Sequence, residues 1–263
     1  PLDGRVIAHL ERGETAVRRY GAPYAFVHRA DLHAALEAAV RGAGAEVVTG
    51  ADCVGADPGG SGTGARTARA VFRDGGAHEA ELVVGADGIR SAVRAAVGSD
   101  EPPRYTGYVA WRGLLPYAGL SARAMPAGSA VTYGPRRCFV RYRLDPRQLL
   151  NFVAFAESAE WVEESWTVPA DPAEPRALFA DWHEGLRDVL AAVPPTGLNR
   201  WGLYDREPIA AYACGRVALL GDAAHPMLPF LGQGAALALE DAVVLVRALE
   251  AVPDVDAALA RYD

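Results

Sequence analysis

Apolar positions in the first hundred residues follow two different periods. Leu32, Leu36 and Val40 share one face at helical spacing, with Asp31 ahead of them as a cap and Gly42 to Gly44 behind them as a stop. A helix over residues 32–41 is predicted. Three strands should follow, over residues 46–54, 67–73 and 77–84, with Asp74-Gly75-Gly76 as a turn. The last strand runs into Gly85-Ala86-Asp87-Gly88, and Ser91 then caps a short helix reaching Val97.

From Tyr105 the texture changes. Residues 108–115, 130–133, 138–144 and 150–155 alternate or run apolar, rich in β-branched and aromatic side chains, with turn clusters such as Gly134-Pro135 between them. These read as antiparallel strands of a separate sheet. Residues 172–193 then place Leu178, Phe179, Trp182, Leu186 and Leu190 at helical spacing, which predicts one amphipathic helix that packs on the core or roofs a pocket. Residues 217–220 form a short aliphatic run ending in Gly221-Asp222. A Pro-rich loop leads from there to Gly232 and Gly234 at the start of a long apolar helix.

Composition narrows the function classes. With 263 residues, 51% of them hydrophobic and 22% charged, the chain can bury a large core in one or two domains. Its apolar stretches are strand-length or interrupted by Glu and Asp, so neither a transmembrane span nor a signal peptide is expected, and a cytoplasmic protein is. A net charge of −7 argues against a nucleic-acid surface. Cys53, Cys138 and Cys214 are odd in number and far apart, which fits neither a disulfide framework nor a metal site. Residues 59–64, GGSGTG, follow Asp57-Pro58 and open no apolar helix, so they read as a flexible loop and not as a phosphate cradle.

The most informative stretch is residues 215–245. An acid at a strand end can accept hydrogen bonds from a sugar-like hydroxyl. Glycines at a helix start let backbone N–H groups approach a ligand where unpaired donors and the helix dipole favour negative charge. Residues 221–241, GDAAHPMLPFLGQGAALALED, resemble the second flavin motif of the aromatic-ring hydroxylase group of FAD-dependent monooxygenases. Residues 82–94, LVVGADGIRSAVR, resemble that group's Asp-Gly motif, and residues 27–36, VHRADLHAAL, the segment whose Arg reaches FAD. The three occur in the family's order, and the resemblance covers nearly the whole chain. The family's opening Gly-x-Gly-x-x-Gly turn does not occur in it, and residues 259–263 read as helix interior, so the segment is expected to be an internal portion of a longer enzyme.

The resemblance implies an α/β fold in which a FAD-binding Rossmann-like layer carries an inserted antiparallel β-sheet substrate domain. The expected division is 1–100 and 201–263 for the cofactor layer and 101–200 for the substrate sheet. It implies an enzyme that uses FAD, NADH or NADPH, and O2 to hydroxylate a small phenolic or aromatic-acid substrate through a flavin hydroperoxide. A homodimer is compatible with this reading, and no metal, nucleic acid or membrane partner is expected.

The implied cofactor-binding residues are Arg29, Asp87, Gly88, Arg94, Asp222, Pro229, Gly232, Gln233 and Gly234, of which Asp222 would meet a ribityl hydroxyl. Each has a plainer reading: a loop cap for Asp222, an ordinary helix start for the glycines, a tight turn for Asp87-Gly88, and a solvated helix residue or surface ion pair for Arg94 and Arg29. Pro229 would wall the reactive flavin carbon. His225, three residues after Asp222, would accept a phenolic proton, or would only bond a neighbouring group. His28 and His183 read as structural. Trp111, Arg112, Tyr133 and Arg141 are candidate liners of a substrate pocket between flavin and sheet. Strand alternation puts Trp111 and Arg112 on opposite faces. An epoxidase or polyketide-tailoring hydroxylase would carry similar motifs, and a non-catalytic flavin-binding protein is the alternative from another class.

Overall fold

The computed structural model describes residues 3–11, 13–59, 66–160 and 168–263. Along them run α1 (Glu14–Tyr20), α2 (Arg29–Gly42), β1 (Cys53–Asp57), β2 (Ala68–Phe72), β3 (Ala77–Ala80), β4 (Val83–Gly85), β5 (Arg104–Pro116), β6 (Ser129–Gly134), β7 (Arg137–Leu144), β8 (Leu149–Glu157), α3 (Ala173–Leu178), α4 (Glu184–Ala191), β9 (Leu198–Asp205), β10 (Ala213–Cys214), β11 (Val217–Leu219), α5 (Gly234–Ala251) and α6 (Val255–Tyr262). The fold is mixed α/β. One unit comprises Pro1–Val47 with Gly107–Leu203, the other Val48–Thr106 with Tyr204–Asp263. The cuts fall inside β5 and β9, where boundaries at 100 and 200 were expected, and residues 1–47 group with the sheet.

The first unit is built on a five-stranded sheet of order β6-β7-β8-β5-β9. Directly opposed residues in an antiparallel pair share a face, so the register assigns every side chain to one side. Trp111 and Phe139 both oppose Ala154, while Gly113 and Arg141 both oppose Phe152. That face is closed by the α3–α4 segment: Phe139 stacks on Phe152 and meets the Phe179 ring edge-on, and Phe179 in turn meets Trp182. The other face carries Arg112, Leu114, Tyr133, Val140, Tyr142 and Asn151. It is half-open, and Phe26 stacks on Tyr142 there at 4.7 Å between centroids.

Four expected elements differ. The helix expected over residues 32–41 is α2, which starts at Arg29 with His28 as its cap. Asp31 lies inside the first turn and does not cap it; Arg147 Nε donates to its Oδ2 at 2.7 Å, and that guanidinium holds the carboxyl below the usual carboxylate range. Leu32 is half-buried and Leu36 and Val40 are exposed, so within this unit the helix does not bury the expected face. The expected strand 46–54 is replaced by β1 at Cys53–Asp57, because Gly50 adopts φ 74° and breaks the run. The expected 77–84 strand divides into β3 and β4, which join different sheets.

The single helix expected over residues 172–193 is likewise two, α3 and α4. Arg137 takes the Leu178 carbonyl and pairs with Asp181 at 2.8 and 2.9 Å, which ends α3 and lets the Phe179 and Trp182 rings turn into the core. Residues 60–64 of the glycine-rich loop lie outside the described residues.

The second unit holds an antiparallel sheet β1-β2-β3 and a second sheet β10-β11-β4 in which β11 runs parallel to β4. Ala218 of β11 packs with Leu245 of α5 and Leu259 of α6 on one side, and Val217 and Leu219 pack with Val93 and Ala223 on the other. No helix among the described residues is long and apolar enough to cross a membrane.

Gly113 tests the packing of the closed sheet face. A Cβ there would stand 2.5 Å from Phe152 Cε1 and 3.2 Å from the Gly197 carbonyl oxygen. Gly113→Ala should destabilise by about 1–3 kcal/mol, as overpacking of a filled core does. Gly128→Ala, with nothing within 4 Å of the new methyl, should leave the thermal midpoint in place. Calorimetry of the two variants checks the contrast.

Candidate active site

The parallel pairing of β11 with β4 brings two distant motifs together. Leu219 opposes Gly85, so the two strands end side by side, and Leu220 N donates to the Gly85 carbonyl at 3.0 Å. The 85–91 loop and the 221–233 loop therefore leave the same end of the sheet, the end where ligands bind in open α/β sheets.

The first loop is fixed from within. Asp87 Oδ2 accepts from Ala92 N at 2.8 Å and Val93 N at 3.2 Å, and Ser91 Oγ accepts from Arg94 N at 2.9 Å, as expected of its cap position. The capped segment is a 3₁₀ turn over Val93–Val97. Arg206 braces the loop by donating to the Ile89 carbonyl at 2.9 Å. Gly88, at φ 79°, faces open space.

Arg94 was expected to meet a phosphate or carboxylate, or else to be solvated. The structure corrects both readings. Its side chain is buried, and its guanidinium donates to the carbonyls of Ala223 (2.9 Å), Ala224 (2.7 Å) and Glu207 (2.8 Å), with Nε to Ser99 Oγ at 3.3 Å. Burial, with Arg206 nearby, pulls its pKa below the ordinary arginine value. All three nitrogens are hydrogen-bonded and four of the five N–H donors are placed on the protein, so Arg94 ties one motif to the other from inside the fold.

The second loop is held from α5. Asp241 Oδ2 accepts from Gly221 N at 2.8 Å and lies 2.6 Å from His225 Nε2. The imidazole is three-quarters buried and its Nε2 is engaged, with the Tyr212 ring edge-on beside it. Two 3₁₀ turns, Gly221–Ala223 and Pro229–Leu231, carry the chain to Gly232 at φ 64° and on into α5. Asp222, Pro229, Gly232 and Gln233 are exposed. No side chain caps the N-terminus of the 18-residue α5. A Cβ on Gly234 would lie 3.8 Å from Asp222 Oδ1, so the acid and the open helix start adjoin.

FAD fits these residues. An exposed carboxylate suits a polyol hydroxyl, and an uncapped helix N-terminus flanked by glycines suits the electron-rich end of a flavin ring. Among the described residues no three His, Cys, Asp or Glu side chains group to hold a metal. Burial pushes the Cys138 thiol up to about 11, which disqualifies it as a nucleophile.

The four substrate candidates in the first unit are divided by the sheet. Trp111 lies on the closed face, where its Nε1 donates to Glu174 Oε2 at 2.9 Å, and Arg141 lies there too, donating to the Ala124 carbonyl at 2.9 Å. Arg112 and Tyr133 lie on the other face, so the four do not line one pocket. Arg29 is the first residue of α2 and lines a cavity of about 800 Å³ within this unit, together with His28, His33, Arg112, Leu114 and Trp201.

Sequence reasoning missed Asn151, to which Arg112 Nε donates at 3.0 Å, although an amide in the middle of LLNFVAF was a visible signal. It also missed the roles of Asp241 and Arg206.

The sequence model of the FAD binding domain family matches residues 6–263. A 3-amino-4-hydroxybenzoate 2-monooxygenase of Streptomyces platensis is 39% identical over 99% of this chain and 64% of its own length. A 6-hydroxynicotinate 3-monooxygenase of Bordetella bronchiseptica is 36% identical over 94% of this chain and 62% of its own length. The structure of Klebsiella pneumoniae HpxO with FAD and uric acid superposes with a TM-score of 0.80 at 28% identity, covering 95% of this chain and 61% of that one. The chain thus spans less than two thirds of the length of each of these proteins.

Arg94 yields a stability prediction. Arg94→Met strands the buried carbonyls of Ala223 and Ala224 and the part-buried one of Glu207, whose charge-assisted bonds are worth about 1.5–3 kcal/mol each before relaxation. A loss of about 3 kcal/mol or more in urea unfolding is expected. Arg94→Lys, a point charge on a different stem, should recover only part of it. An unchanged midpoint in the Met variant would show that water replaces the guanidinium freely.

Proposed function

The chain belongs to the FAD binding domain family, and from that membership we propose that it is the core of an FAD-dependent monooxygenase hydroxylating a small aromatic substrate, with NADH or NADPH as reductant and O2 as oxidant. One observation carries the reading: exposed Asp222 adjoins the uncapped N-terminus of α5, and both loops at that sheet end are fastened by Arg94 and Asp241. The names of the relatives support the reaction class, since the Streptomyces and Bordetella proteins are monooxygenases of an aminohydroxybenzoate and a hydroxynicotinate.

When bound, the flavin supplies the redox chemistry that activates oxygen. The chain's residues bind and orient. Asp222 would accept from ribityl hydroxyls, and Gln233 and Gly234 would present backbone N–H groups where negative charge gathers on reduction, whereas the Gly232 N–H donates to the Pro229 carbonyl at 3.1 Å. Pro229, exposed on its 3₁₀ turn, would wall the ring. Gly88, open at positive φ, lets backbone approach the cofactor without a side chain between them.

We assign His225 a positioning role with Asp241. With Nε2 engaged, the imidazole fastens the 221–225 turn that presents Asp222, and proton transfer would fall to Nδ1 alone.

The functional test is flavin content together with NAD(P)H oxidation and product formation across a panel of hydroxybenzoates and phenols. A flavin-free protein, or one whose oxidation of nicotinamide no aromatic accelerates, refutes the reading. Asp222→Ala should weaken FAD about tenfold to a hundredfold, the worth of charge-assisted hydrogen bonds, with folding intact by circular dichroism. For His225→Gln, a positioning role predicts lower FAD affinity at an unchanged ratio of product to hydrogen peroxide. A shifted ratio with full flavin content would restore the imidazole to proton transfer.

A further inference from the structure

The closed face of the first unit's sheet holds a buried cation that its surroundings do not satisfy. Arg141 is 8% exposed, yet among the described residues its guanidinium makes one hydrogen bond, from a terminal nitrogen to the Ala124 carbonyl at 2.9 Å, and its buried Nε meets no acceptor. Arg94 shows what full satisfaction of a buried guanidinium looks like in this chain: four hydrogen bonds from all three nitrogens. Burial alone pulls Arg141 below the ordinary arginine pKa, with no carboxylate acting against it. An arginine does not shed its charge inside a protein, so a desolvated one needs acceptors or an anion.

The guanidinium adjoins the start of α4. Ala124, whose carbonyl meets Arg141, follows Arg123, whose own carbonyl would collide with a Cβ on Gly185. Glycine at 185 is what lets that backbone come so close to the first turn of the helix. His183 is the N-cap residue of α4, and no side chain caps the helix. Burial, and after it the charge of Arg141, pull the His183 imidazole below the usual histidine value, which puts the guanidinium within electrostatic reach of the cap. The acids of this region are engaged elsewhere: Glu184 and Asp188 pair with Arg123, and the exposed Asp3 takes the Arg5 N–H at 3.0 Å. Trp182, next to the cap residue, also keeps its Nε1 buried and without a partner. Donors therefore exceed acceptors in this layer, and the helix dipole adds to the positive potential.

We propose that a small inorganic anion, a chloride ion, binds here beside Arg141 Nε, with the N–H groups of Glu184 and Gly185 at the start of α4 completing its shell. Unsatisfied donors in a buried layer are accounted for by an ion or a water. A water would leave the buried charge uncompensated, whereas an anion neutralises the guanidinium and meets the positive end of the helix. Enclosure favours a monatomic ion over phosphate or an organic acid. The ion would join β7, the 123–124 backbone and α4 on the sheet face opposite Arg112, so it acts on the stability of the first unit and not on the choice of substrate.

Thermal melting of the full-length protein tests this in sodium chloride, in sodium bromide and, at matched ionic strength, in sodium gluconate, whose anion is too large for an enclosed site. Chloride and bromide should raise the midpoint saturably, by about 5–10 °C at a hundredfold excess over the dissociation constant. Gluconate should not. Arg141→Leu retains an apolar stem and removes the charged head, so its midpoint should no longer respond to halide, while Asp3→Asn should respond as the parent does. Crystals grown in bromide should show an anomalous peak within hydrogen-bond reach of Arg141 Nε, a readout that stands even if Arg141→Leu does not fold.

The proposal is overturned by a midpoint that halide does not move or that gluconate moves equally, by a halide response undiminished in Arg141→Leu, or by bromide crystals with no peak at Arg141. It is also overturned if Asp3→Asn lowers the midpoint as far as Arg141→Leu does, which would make the Asp3 carboxylate the counter-ion.

Discussion

The guanidinium of Arg94 is buried among three backbone carbonyls and a hydroxyl, and none of its hydrogen bonds goes to a carboxylate. Desolvating a cation is costly, and neutral carbonyls offset that cost only if every donor finds one in good geometry. The requirement works in both directions. Ala223 and Ala224 must sit where their oxygens meet the two donors of one guanidinium nitrogen, and displacement of either loop would strand the charge. A planar fork with fixed donor directions can impose such a condition on two loops at once, whereas an ammonium would fit many arrangements equally well.

With Ala223 and Ala224 set from one side, Asp241 sets Gly221 and His225 from the other, and Asp222 lies between the fixed points with its own side chain exposed. This division makes physical sense for a ligand-binding acid. The residues that hold the loop are buried or half-buried and hydrogen-bonded, and Asp222 is exposed. The N–H groups that no side chain caps at the start of α5 are hydrated at little cost because Gln233 is exposed. A ligand seated there would meet a backbone already in place, and preorganisation of that kind lowers the entropic cost of association.

What the sequence disclosed is whatever depends on short range. Alternation located β5 to β8 closely, because a half-open sheet must alternate. The placement of Asp222 after a strand end and of the glycines at a bare helix start was legible because that order has a local signature. The opposition of Trp111 and Arg112 followed from pleating alone. The misplaced features are tertiary in origin. The break between α3 and α4 depends on Arg137, some forty positions away, taking the Leu178 carbonyl. Asp31 looked like a cap, yet His28 already had the extended backbone a cap needs, and the carboxylate was drawn to Arg147. The carbonyl partners of Arg94 at Ala223 and Ala224 are 129 and 130 positions distant, and no local pattern encodes them.

Three arginines in this chain show why residue type alone ranks candidates poorly. Arg94, Arg141 and Arg112 stood equal in the sequence as cations able to meet an acid. Arg141 faces the closed side of the sheet, where burial lowers its pKa and one carbonyl, that of Ala124, takes a terminal nitrogen while its Nε has no partner. The residue is buried there, so its aliphatic stem contributes contact area whatever becomes of its head. Arg112, two strand pairings away across β8 and on the opposite face, has a brace on its inner edge and, among the described residues, an unpaired outer edge. The supply of acceptors around each guanidinium decides whether an arginine fastens the fold or remains open to a ligand. That supply depends on sheet parity and on loops far along the chain.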